Sequence, residues 1–211
     1  MKPRFSAEEV KTLTRCIFEL EARTSAEVVL VIRGASGKYR NADLLGGAVL
    51  AGVTLGYLLL APYEFHYVSI PLPMGLAFIL GWRLSPYWGI RRLLTSSGGR
   101  HRRVVEETRR IYETREVGKT SHHQGILIYC SLLERESVIF SDKRARELLN
   151  SAEHSRFERA FAKAASSRKP ARHIASALRG FGVRLGRVMP ADGNSGRREL
   201  SNEIDGEDRS L

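Results

Sequence analysis

Apolar residues are spaced along this chain in several rhythms, and each predicts a different element. Near the N-terminus Val10, Leu13, Ile17 and Leu20 recur at helical spacing, which places one apolar face on a helix. Its start is readable: Phe5 precedes Ser6 and Glu9 stands three residues on, a capping box in which each side chain satisfies the other's free backbone amide. Thr24 and Ser25 end the pattern. Glu27 to Ile32, EVVLVI, is β-branched, of strand length and almost without polar alternation. It predicts a strand covered on both faces.

The chain then loses its rhythm. From Leu44 to Tyr63 it reads LLGGAVLAGVTLGYLLLAPY with no charge. As a helix this run would measure about 30 Å, the thickness of a bilayer's hydrocarbon core. A second apolar run, Tyr67 to Trp82, carries Pro71 and Pro73 near its start, where prolines are tolerated. The connector between the runs is too short to hold a domain. Together they predict a transmembrane helical hairpin over residues 44–82, with Trp82, Tyr87 and Trp88 as interface rings. The competing readings are a buried core helix for the first run and a re-entrant or interfacial segment for the second. Residues Ala61 to His66 contain no Lys or Arg, whereas Lys38 and Arg40 precede the first run and Arg83, Arg91, Arg92, Arg100, Arg102 and Arg103 follow the second. That asymmetry predicts both termini on the cytoplasmic side. The opening MKPRFSAEEV is too polar for a cleavable signal, so the hairpin is the membrane address.

Beyond it, Thr95 to Gly99 reads as a flexible exit. A helix follows from about Arg102 to Glu116, with Val104, Thr108, Ile111 and Tyr112 inward, an Arg/Glu face outward, and Gly118 as its C-terminal cap. Gly125 to Ser131, GILIYCS, is a second buried strand and Ser137 to Ser141 a third. The connector between them, Leu133 to Glu136, is short enough to force an antiparallel hairpin. Ser141 or Asp142 caps a helix from Lys143 to Leu149, and another, around Ser155 to Ala165, carries Phe157 and Phe161. The last opens near Pro170 and sets Ile174, Leu178, Phe181 and Leu185 on one face. Residues 191–211 have little to bury and predict a disordered tail. The fold class expected is α/β, a small mixed β-sheet flanked by helices over residues 5–190, interrupted by the two-helix transmembrane hairpin.

Charge narrows the partners. A net charge of +11 and an isoelectric point near 10.1 suit nucleic acid or the anionic inner leaflet. The lipid bilayer is already implied by the hairpin, and the Arg-rich stretch from Arg100 to Arg115 interleaves only Tyr112. No nucleic acid is therefore expected as partner. Cys16 and Cys130 lie far apart without a CxxC and read as small apolar core residues under reducing conditions.

Candidate chemistry is sparse. His122 and His123 could bind a transition metal or accept a phosphoryl group, but neighbouring side chains diverge and make a poor chelate without a third ligand. His101, His154 and His173 fall in other elements. Glu134, Arg135 and Glu136 read as a solvated hairpin tip. No phosphate loop, GxSxG, HExxH or CxxxxxR occurs. Catalytic residues are thus unknown, and neither a cofactor nor a metal is expected.

The order of helix, TSAEVVLVI, two apolar spans, RRLL, a basic helix, QGILIYCSLLERESVIFSD and a late amphipathic helix resembles the TPM domain family. It is most similar to the bacterial branch in which a membrane hairpin interrupts the domain. The resemblance runs from Phe5 to about Met189, and Ser201 to Ile204 is similar to the Asn-Glu-Leu ending of that branch. It implies an inner-membrane, multi-pass protein that binds or assists a membrane protein complex. It also admits a weak acid-phosphatase-type hydrolase and calcium binding. Where exported members carry Asp-Asn before the second strand, this chain has His123 and Gln124. Where they carry an acidic, Gly-rich segment after the third, it has Asp142 followed by Lys143, Arg144, Ala145 and Arg146. Calcium needs several converging carboxylates, so the metal site does not carry over and Asp142 is expected to be a helix cap. A non-catalytic, membrane-anchored cytoplasmic module is the function expected, with the hydrolase as alternative.

Overall fold

A computed structural model describes residues 5–37, 39–61, 70–85, 96–119, 124–191 and 203–204. The chain divides into two compact units, one made of Met1–Ser36 with His101–Leu211 and the other of Gly37–Arg100.

In the first unit α1 (Ala7–Glu21) opens with the capping box: the Glu9 amide donates to Ser6 Oγ at 3.2 Å and the Ser6 amide to Glu9 Oε2 at 2.9 Å. Leu13, Ile17 and Leu20 are buried, with Cys16 beside them. Strand β1 (Glu27–Arg33) follows. It pairs in parallel with β2 (Gly125–Ser131), Val29 opposite Leu127 and Val31 opposite Tyr129. Strand β3 (Glu136–Ser141) returns antiparallel beside β2. These strands form a small mixed sheet. A two-residue strand β4 (Glu203–Ile204) lies along the other side of β1, so this part of the expected tail is ordered in register with the sheet. The remainder of residues 192–211 lies outside the described residues.

Alternation along the strands gives each face its own cover. Val29, Val31, Leu127, Tyr129 and Val138 pack with Val104 and Ile111 of α4 (Ser97–Thr114) and with Val117 of the 3-10 turn Val117–Lys119. Helix α7 (Pro170–Val188) packs against α1 and α6 (Ser151–Ala165), and α1 and α6 contact the strands. A short helix α5 (Lys143–Leu148) joins β3 to α6. Phe181 of α7 meets Phe157 and Phe161 of α6 edge-on. Thr24, just past α1, is buried and donates its hydroxyl to the Met189 carbonyl at 2.7 Å, tying the chain after α1 to the end of α7.

Several sequence expectations are corrected. Ser97, Gly98 and Gly99 belong to α4, whose first turn is held by a 3.2 Å bond from the Gly99 amide to Ser96 Oγ. The left-handed residue after α4 is Glu116, with φ 52°, and not Gly118. Helix α6 starts at Ser151 because Asn150 caps it, accepting the Glu153 amide at 2.8 Å. Gly125 is needed for space: a Cβ there would stand 2.0 Å from the Val117 carbonyl oxygen.

The second unit is a pair of apolar helices, α2 (Arg40–Leu60) and α3 (Pro71–Leu84). Pro71 sits at the start of α3, where its missing N–H removes no helical bond. The seam is built from glycine. A Cβ at Gly81 would lie 2.6 Å from the Gly46 carbonyl oxygen, so only bare backbone allows this approach. Buried Ser85 places its hydroxyl 3.0 Å from Asp43 Oδ1 and 3.2 Å from the Ala42 carbonyl. Leu44, Val53, Leu59, Leu72, Leu76 and Ile79 are exposed, and Leu60 is 88 % exposed. Helix α2 is long and apolar enough to cross a membrane by length and composition, whereas α3 has 14 residues.

Candidate functional site

The carboxyl ends of the two central parallel strands gather a buried polar cluster, at the border where α/β sheets most often receive ligands. The backbone first prolongs the pairing past the strands: the Leu132 amide donates to the Arg33 carbonyl and the Leu133 amide to the Gly34 carbonyl, both at 3.0 Å. That brings the loop after β1 against the connector Leu132–Arg135. Glu134 is only 2 % exposed. Its Oε1 accepts the Ser36 amide at 2.9 Å and its Oε2 accepts the Ser131 hydroxyl. Ser36 Oγ in turn accepts the Tyr129 hydroxyl at 3.0 Å. Arg33 forms an ion pair with Glu107 of α4 on the same side.

The solvated hairpin tip expected from Glu134, Arg135 and Glu136 is thereby overturned at Glu134, while Arg135 stays exposed and Glu136 is half-buried. Arg135 takes a left-handed φ of 56°, and Glu134, Leu132 and Leu133 before it are buried. Two leucines in a connector were the sequence signal for a covered turn. The long-range partner, Ser36, has no local signature.

Burial raises the Tyr129 phenol far above its ordinary range, and the neighbouring carboxylates of Glu134 and Glu107 add to this against the opposing Ser36 bond and Arg33 charge. The phenol stays a neutral donor. Burial likewise pushes the Cys130 thiol up to about 12, against a contact with Ser137. A thiol so placed is a core residue and not a nucleophile. Both Glu134 oxygens accept hydrogen bonds, so the cluster serves best as a latch between the sheet and the loop leading to Gly37.

A second cluster lies on the outer strand. Ser141 Oγ stands 3.1 Å from His154 Nε2 of α6. Burial lowers the His154 pKa, with Glu158 opposing and Arg146 assisting. The imidazole is neutral near pH 7 and could in principle accept a proton from Ser141. Glu158, one turn along α6, accepts the Ile139 amide at 3.0 Å and so covers the strand edge with that oxygen. Burial and the adjacent Asp142 carboxylate raise the Tyr112 pKa, and Tyr112 packs edge-on against Phe140.

Asp142 stands where expected, as the N-cap of α5, its carboxylate accepting the Lys143 amide at 2.6 Å. The remaining histidines are separate. His101 Nδ1 lies 2.8 Å from Glu136 Oε2, and His173 Nδ1 lies 3.1 Å from Ser167 Oγ at the start of α7. His122 and His123 lie outside the described residues. Among the described residues, no group of three or more His, Cys, Asp or Glu side chains is placed to hold a metal ion.

No family model and no curated protein matches this chain. A solved structure that does is the NMR structure of the BA42 protein from the psychrophilic bacterium Bizionia argentinensis, with a TM-score of 0.57 and 13 % identity. The alignment covers 96 % of this chain and 97 % of that one. At this identity the similarity is one of fold.

Proposed function

We propose that this protein is a membrane-anchored, TPM-like module. Its two apolar helices form a transmembrane hairpin in the inner (plasma) membrane, and its α/β unit binds or assists a membrane protein complex on the cytoplasmic side without catalysis. The observation that carries the reading is the arrangement of the helix pair, with glycine, Asp43 and Ser85 inside and leucines outside. Water would penalise that outer surface, and lipid would not. Helix α2, with 21 residues, measures about 31 Å at the helical rise and matches a bilayer core. Helix α3 measures about 21 Å, a mismatch that bilayer thinning or snorkelling by flanking residues such as exposed Arg83 would accommodate.

The non-catalytic half of the proposal rests on the carboxyl-end cluster, whose Glu134, Ser36, Ser131 and Tyr129 bond to one another. Retention in the membrane after carbonate washing, with a periplasmically active reporter silent when fused after Leu211, is the result expected. Release by carbonate, or an active reporter, would overturn the anchor or its orientation. Affinity purification from detergent-solubilised membranes should recover a membrane protein partner. The hydrolase alternative would prevail if purified protein cleaved a phosphomonoester and Asp142→Asn abolished this without loss of stability.

A further inference from the structure

The outward face of α7 differs in its charge pattern from that of α4. On α4 the cations are interleaved with acids: Arg102 pairs with Glu106 at 2.8 Å and Arg109 with Glu113 at 3.0 Å. Helix α7 contains no Asp or Glu in 19 residues. Its Arg184 is held by Glu153 of α6. Arg172, Arg179 and Arg187 are exposed, and among the described residues none of them has a carboxylate partner. With 3.6 residues per turn, these guanidiniums fall within an arc of about 80°, and Val183 lies inside the same arc. Exposed Arg168 and Lys169 precede the helix and extend the patch. The exposed cation of the first turn, Arg172, also opposes the helix dipole.

We infer that this α7 face is a headgroup-binding surface for the anionic lipid leaflet. The inference rests on the membrane-anchored reading and names the residues through which the α/β unit would meet lipid. Guanidiniums pair bidentately with phosphate oxygens, and their stems lie flat along apolar surface. Exposed Val183 in their midst suits the shallow acyl boundary of a headgroup layer. A single-stranded nucleic acid would instead call for aromatic rings to stack bases, and the exposed positions of this face carry none. Each Arg near an anionic surface shifts the docked-to-undocked ratio roughly fivefold.

The test uses the full chain bearing Val183→Cys labelled with an environment-sensitive fluorophore. Native Cys16 and Cys130 are buried and escape the label. In vesicles containing phosphatidylglycerol the emission should shift to the blue, and it should not in purely zwitterionic vesicles. High salt, or combined Arg172→Gln, Arg179→Gln and Arg187→Gln, should abolish the shift, while the matching Arg→Lys triple retains most of it. Emission unchanged by lipid charge, or a shift that survives the Gln triple, would overturn the inference. So would a shift produced by added single-stranded DNA and not by anionic lipid, or a shielded probe in zwitterionic vesicles, which would mean that the chain covers its own patch. Carbonate retention separates the two readings: retention without the shift removes the headgroup contact alone, and release with the shift removes the anchor alone.

Discussion

The two units obey opposite rules of burial. In the α/β unit Val29, Leu30 and Ile128 are inside and the Arg/Glu faces of α4 are outside. In the helix pair Asp43, Ser85 and Gly81 are inside, and Leu44, Val53 and Leu60 are outside. A single chain with a single solvent has no reason to do both, since each exposed leucine forfeits the transfer free energy that a buried one gains. The difference is what the proposed membrane anchor would produce in a chain that meets two solvents, and matched substitutions in the two units can break or sharpen that contrast.

The largest effect is expected from one change made twice. Val29→Asp puts an unpaired charge between the sheet and α4 and should destabilise the α/β unit by about 3–5 kcal/mol. Limited proteolysis should then cleave the segment after Arg100, and unchanged protection there would mean that the strands on either side of the apolar pair do not share a core. Val53, 63 % exposed on α2, answers differently. Val53→Asp should leave the α/β unit untouched while costing about 3 kcal/mol of membrane insertion, read as a larger carbonate-released fraction. Equal retention of wild type and variant would break the two-solvent contrast.

Next comes the buried carboxylate. Glu134→Ala strands the Ser36 amide and the Ser131 hydroxyl and should cost about 2 kcal/mol in chemical unfolding of the α/β unit. Glu134→Gln, which still accepts, should cost less. If both were silent, the latch would contribute nothing. Asp142→Ala should lose about 1 kcal/mol of capping, whereas Asp142→Asn should stay near wild type. An Asn variant as unstable as the Ala one would point to a role for the charge itself.

The smallest effect is a pH dependence. Burial depresses the folded-state pKa of His154 below its ordinary 6.5. Above 6.5 the ring is neutral in folded and unfolded chains alike. As pH falls below that value, the unfolded chain takes a proton that the folded one refuses, and stability declines until the folded pKa is reached. His154→Gln should remove this part of the acid sensitivity. A variant that loses stability on mild acidification as steeply as wild type would assign the effect elsewhere.

Elements whose cause is local were readable residue by residue. The Ser6–Glu9 capping box, the β-branched Glu27 run, the Asp142 cap and the Pro170 helix start all stand where short-range patterning placed them. Helix ends were less legible, because Asn150 and Ser96 cap through single side-chain contacts that composition barely marks. The Glu134 latch was misread as a solvated tip because Ser36 lies 98 residues away in the chain. Likewise the Ser141–His154 contact joins a strand to a helix beyond it.

What the amino-acid order determined by itself is therefore most of the inventory: which segments are helix, which longer ones are strand, and which are long apolar runs without charge. Those properties follow from torsional preference, capping and periodicity within a few residues. Only the tertiary structure decided which charges are silenced and which are left free. It buried Glu134, paired Arg184 with Glu153, and left Arg172, Arg179 and Arg187 along one exposed arc of α7. The reason is that a charge's cost and its availability depend on what packs around it in space, and spacing along the chain does not contain that information.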